Sequence, residues 1–137
     1  MKEILFESND HKEKCEVFLE CVPAKNHSPE NLAVVYLVAW VETVKPNVAD
    51  QILDFQTCSI NPLAYLKEWQ TERTQNAIFL AHSLKTNNYD YALNIIDASN
   101  WDKCFVEAFC ICCNTCYSEM KARWNELLKF DAERKNH

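Results

Sequence analysis

The chain has 137 residues, 48% of them hydrophobic, which is enough for one domain with its own core and excludes disorder of the whole chain. It contains no glycine, so P-loop and dinucleotide-binding motifs are excluded and β-hairpins, which lean on glycine for positive φ, are disfavoured. A formal net charge of −6 weighs against direct nucleic-acid binding and against attachment to an anionic membrane.

In chain order, Ile4-Leu5-Phe6 is a short apolar lead-in. Ser8, Asn9 and Asp10 all suit a helix cap, and Asp10 with Glu13 fits a capping box. A first helix is expected to about Cys21, stopped by Pro23. Cys15, Phe18, Leu19 and Val22 face inward, with His11 one turn ahead of them. Ser28 and Pro29 then cap and open a second helix, predicted over 29–44. Its segment Leu32–Val41 is ten apolar residues without a break, so this helix is central and buried. It is too short for a membrane span, which needs about 20 such residues. Tyr36 and Trp40 lie on one of its faces, each expected to touch a neighbouring helix.

A third, shorter helix is predicted over 47–55, with Val48, Ile52 and Phe55 inward. Residues 57–62 read as a loop, because Pro62 disfavours helix at Asn61. Pro62 can start a helical turn through Trp69. Thr71 caps a helix over 72–86 with the stripe Ala77, Leu80, Ala81 and Leu84. Arg73 precedes that stripe by one turn, either snorkelling or in a partly buried ion pair with Asp54 or Glu68. A polar loop over 85–90 precedes a short helix carrying Tyr91, Leu93, Ile95 and Ile96. Asn100 can cap the last element, one long helix over about 101–133. Val106, Cys110, Cys113, Tyr117, Met120, Trp124 and Leu127 recur there in a heptad pattern. Phe105, Phe109, Cys112 and Cys116 form a second row beside the first half. At ~1.5 Å per residue this helix reaches about 50 Å, beyond the edge of a compact domain.

Leu5-Phe6 with His11, AVVYLVA at 33–39, DFQTCSINPLAYLKEWQTERT at 54–74 and AIFLAHSL at 77–84 together carry a resemblance. The chain resembles a family of small uncharacterised proteins, a domain of unknown function from Firmicutes, their phages and mobile elements. The match spans about residues 4–112. The family pattern has a glycine near the end of the 72–86 helix, where this chain has Lys85-Thr86-Asn87-Asn88. Residues 113–137 read as a helical extension of the single domain, beyond the family. The resemblance implies an accessory role inside a bacterial cell and supplies no catalytic residues.

Cys110, Cys112, Cys113 and Cys116, with Cys104 nearby, are the candidate metal ligands. Zinc needs four ligands in a tetrahedron. These cysteines lie within a helical run and fill seam positions, where a buried free thiol serves as a small apolar side chain. Core packing is therefore the expectation, and a zinc site the alternative. Cys58, His27 and His82 are the residue types of a nucleophilic pair, without a supporting motif. No cofactor is expected. The N-terminus does not read as an export signal, so a cytoplasmic protein with reduced thiols is expected.

These features point to an all-α, non-enzymatic protein that binds a host or defence protein, an anti-CRISPR-like inhibitor being one concrete form. A purely structural oligomer is a further alternative. The stripe Tyr117, Met120, Trp124, Leu127 and Leu128 is the expected interface of a homodimer.

Overall fold

Ser8 sets the first element. Its hydroxyl accepts the His11 amide at 3.1 Å and starts helix α1, Asn9–Cys21. In the computed structural model, residues 4–41, 49–61, 71–98, 102–113 and 129 are described. Lys14, Cys15 and Phe18 turn inward, with His11 at the head of the same face. A 3-10 turn over Ala24–Asn26 follows.

Helix α2, Pro29–Trp40, begins where Ser28 caps the Asn31 amide, with Pro29 in the first turn. Every residue from Ala33 to Trp40 is buried, as its unbroken apolar run requires. The observed helix ends at Trp40, with Val41 extended as its C-cap, so it is shorter than 29–44. Residues 42–44 lie outside the described ones.

The predicted helix over 47–55 does not form across its described part. Ala49–Gln51 is a single 3-10 turn. It leads into strand β1, Leu53–Asp54, antiparallel to β2, Ser59–Ile60, with Leu53 opposite Ile60. Two local features defeat the helix. The Asp54 carboxylate accepts the Gln56 amide at 2.9 Å, a side-chain bond that competes with helical pairing. Cys58 takes the left-handed conformation at φ 56°, supplying the turn usually left to glycine. The absence of glycine therefore did not exclude a hairpin. The Pro62–Trp69 turn lies outside the described residues.

Helix α3, Glu72–Lys85, opens with a reciprocal capping box between Thr71 and Thr74. Its end is a Schellman arrangement. The Asn87 amide donates to Leu84 and the Asn88 amide to Ser83, with Asn87 left-handed at φ 60°. Asn88 then accepts the Tyr91 amide and opens helix α4, Tyr89–Ala98. Helix α5, Lys103–Cys113, completes the described chain. Its cap is Asp102, whose Oδ1 accepts the Cys104 amide at 3.0 Å. Asn100 lies outside the described residues, as does the remainder of the proposed 101–133 helix apart from Lys129.

The fold is mostly helical, with one two-stranded sheet among the described residues. Helix α2 is its axis and packs against α1, α3 and α5. The core it organises draws on all five helices and the hairpin.

Candidate functional site

The lead-in segment lies against α1, α2 and α5, and the body of the protein holds it chiefly through its main chain. The Leu5 amide donates to Glu107 Oε1 at 3.2 Å. The Leu5 carbonyl accepts Tyr36 Oη at 2.6 Å. The Glu7 amide donates to His11 Nδ1 at 3.1 Å. On the side-chain level, the Cys104 thiol donates to Glu7 Oε2 at 3.2 Å. Phe6 packs edge-on to the His11 ring at 5.5 Å between centroids, and tilted against Tyr36 at 6.0 Å.

This network fixes the state of His11. An amide N–H can only donate, so Nδ1 carries no proton. Nε2 therefore carries it and donates to the Tyr36 carbonyl at 2.8 Å. Burial pushes the His11 pKa down. The Tyr36 carbonyl and the Glu7 and Asp10 carboxylates pull it back up, and Lys14 reinforces the fall. The neutral ring sits 4.4 Å from the Tyr36 ring, edge-on. Burial likewise raises the Tyr36 phenol and the Cys104 thiol, and Glu7, bonded to Cys104, raises that thiol further.

Beside this network opens a cleft of about 220 Å³, bordered by Glu7, Ser8, Asp10, Trp40, Thr71 and Arg73 among others. Three helix ends meet there: the starts of α1 and α3 and the end of α2. The Arg73 guanidinium lies 4.3 Å from the centroid of the Trp40 ring. Its Nη2 and Nε reach Asp102 Oδ2 at 2.8 and 3.2 Å. The arginine is thus an ion-pair residue, but its partner is Asp102. Asp54 bonds within the hairpin instead, and Glu68 lies outside the described residues. Trp40 also meets Phe105 edge-on at 5.2 Å, and Tyr36 reaches α1 through His11. Both α2 aromatics therefore touch neighbouring helices. At the same helix end, Lys14 Nζ donates to the Val41 carbonyl at 2.9 Å, placing a cation where the α2 dipole is negative.

Cys104, Cys110 and Cys112 are buried in the core, and the Cys112 thiol lies 3.9 Å from the Pro29 carbonyl. The Cys113 side chain and Cys116 lie outside the described residues. Among the described residues, no group of three or more His, Cys, Asp or Glu is arranged to hold a metal. Cys58, His27 and His82 do not form a reactive group. Cys58 is fully buried and its thiol is pushed up by burial. His27 Nε2 donates to the Val22 and Leu19 carbonyls at the end of α1. His82 is exposed. The stripe Tyr117, Met120, Trp124, Leu127 and Leu128 lies outside the described residues.

Glu7, Asp102 and Glu107 were not singled out by sequence. One signal for Glu107 was present: it is the only charged residue between Lys103 and Cys113. A lone acid in an apolar helix calls for a buried donor.

The fold and the site define a small, mostly helical domain with a strapped N-terminal segment and a cleft walled by a stacked Trp–Arg pair. No helix among the described residues is long and apolar enough to cross a membrane. The chain belongs to the Family of unknown function (DUF6075), whose model matches residues 1–135. That match runs past residue 112 and takes in most of the segment read from sequence as an extension. No curated protein and no solved structure matches the chain.

Proposed function

We propose that the chain is a non-enzymatic binding protein, a phage or mobile-element accessory factor working in the cytoplasm of a bacterial cell on a host or defence protein. Anti-CRISPR-like inhibition is one concrete form. The observation that carries the binding role is the cleft wall. Arg73 is held in place by Asp102 and Trp40, yet 59% of its side chain remains exposed. Arg and Trp are the side chains most often found at interface hot spots. A pre-positioned arginine also loses little freedom when a partner arrives. The buried ionisable groups nearby are already engaged in the fold: His11 with both ring nitrogens, Cys104 with Glu7. This favours recognition over proton or acyl transfer.

The test is affinity capture from a bacterial host lysate, identification of the partner by mass spectrometry, and titration of that partner with wild type and Arg73→Ala. A loss of at least about tenfold in affinity, some 1.4 kcal/mol, supports the cleft as the binding surface. Equal affinity removes it. We also propose a homodimer through Tyr117, Met120, Trp124, Leu127 and Leu128, supported by the heptad spacing of the sequence.

A further inference from the structure

We propose that the lead-in segment, residues 4–7, is a latch that opens when His11 takes up a proton. The argument rests on the bond at Nδ1. That nitrogen is the acceptor for the Glu7 amide, and Nε2 is already committed to the Tyr36 carbonyl. Protonation puts an N–H at Nδ1 facing the N–H of Glu7. The bond is lost, and a cation stands in a site 3% exposed between the Phe6 and Tyr36 rings. Two responses are open to the protein: unfold around α1, or let the segment swing away so that water reaches Nδ1.

Structure favours the second. Ile4, Leu5 and Glu7 are exposed, and Phe6 is only partly buried, so little apolar contact opposes release. The Ser8 cap of α1 and the Nε2 bond to Tyr36 both survive it. The segment's other attachments are the bonds of the Leu5 main chain to Tyr36 and Glu107 and the bond of the Cys104 thiol to the Glu7 carboxylate, and all three leave together. Release removes Glu7 from the border of the cleft, so the latch changes the binding surface without touching the core.

Charged and titratable groups bear on His11 from every side. On α1, Lys14 opposes the imidazolium and Asp10 favours it. In the latch itself, the Glu7 carboxylate favours it, but the Cys104 thiol of α5 holds that carboxylate. Tyr36 of α2 offers its carbonyl. Glu107 of α5 is held by the Leu5 amide, and Arg73 of α3 borders the same cleft as His11. Glu7 and Glu107 are the other ionisable groups bonded to the latch, so the test follows the His11 ring directly beside the latch.

The experiment is nuclear magnetic resonance on the full chain from about pH 8 to about pH 5, which brackets the ordinary histidine range. His11 ring nitrogen shifts report its protonation, and the Phe6–Tyr36 ring contact reports the closed latch. The expected result is a single shared midpoint for both, with core amides unchanged. Glu7→Gln, which removes a carboxylate that favours the imidazolium, should lower the midpoint but leave it shared by the His11 ring and the latch, and His11→Gln should keep the latch closed throughout. Three results overturn the proposal: His11 titrates with the Phe6–Tyr36 contact intact, the latch midpoint in Glu7→Gln moves away from that of its His11 ring, or the core amides are lost at the same pH. Where His11→Gln does not fold, wild type and Glu7→Gln decide the matter.

Discussion

Asp102 serves Arg73 with one carboxylate oxygen and the first turn of α5 with the other. The ion pair and the helix cap are therefore one device, joining α3 to α5 across Trp40. Arg73→Ala removes a half-exposed pair and a cation–π contact, each worth about 0.5–1 kcal/mol at such a site. Asp102→Ala removes the pair and the cap, the cap alone worth about 1 kcal/mol, so urea denaturation should show a loss at least equal to that of Arg73→Ala. Asp102→Asn keeps a capping oxygen and should resemble Arg73→Ala.

Trp40 supports this device from below. It is 8% exposed and packs on Phe105. Trp40→Ala should cost about 3–5 kcal/mol, the range for emptying a large aromatic from a core. A loss below about 1 kcal/mol in the same denaturation series would place Trp40 outside the core.

Stability should depend on pH through His11. Its folded pKa lies below that of the unfolded chain, about 6.5. As pH falls the unfolded state binds the proton first. The stability contribution is complete above about pH 6.5, declines through it, and levels off below the folded pKa. His11→Gln should lose this slope between about pH 7 and about pH 6, where ordinary carboxylates do not titrate. An unchanged slope would assign it to other groups.

The thiols should differ in reactivity. Cys21 is exposed, whereas burial pushes Cys15 up to about 12 and raises Cys58 and Cys104 as well. An alkylating reagent needs thiolate. Peptide mapping of the native protein at about pH 8 should find Cys21 modified before these three, with all of them reacting in denaturant.

The proposed dimer is tested by light scattering at tens of micromolar protein. Wild type should have twice the chain mass, and Trp124→Glu with Leu127→Glu should give a folded monomer. A wild-type monomer rules the dimer out.

What could be read in the sequence was what depends on local spacing. The α2 and α3 caps at Ser28 and Thr71, and the burial of α2, follow from residues within one or two turns; at α1 three caps were open, and Ser8 takes the position while Asp10, paired with Glu13 as a capping box, lies inside the helix. The hairpin was not legible, because Cys58 adopts the left-handed conformation, which residue identity alone rarely signals outside glycine; Asn87 adopts it too, at the end of α3. Asn87 was the more readable of the two. It follows the last turn of α3, and asparagine is the usual substitute for glycine at a left-handed helix end. The site was legible only in part. Tyr36, Trp40 and Arg73 stood out, but Asp102 lies 29 positions from Arg73 and Glu107 lies 102 from Leu5. Pairings over such distances are chosen by packing, which a linear pattern does not encode.

The lead-in segment is gripped at peptide groups, and this sets what variation it tolerates. The body of the protein takes hold of an N–H at Leu5, a C=O at Leu5 and an N–H at Glu7, which every residue but proline can present. The outward side chains of Ile4 and Leu5 are therefore free to drift among relatives. Proline at position 5 or 7 would remove a donor that Glu107 or His11 needs. Divergence in this stretch can be wide while its path stays fixed, so sequence dissimilarity there is a poor guide to whether a relative keeps the same arrangement.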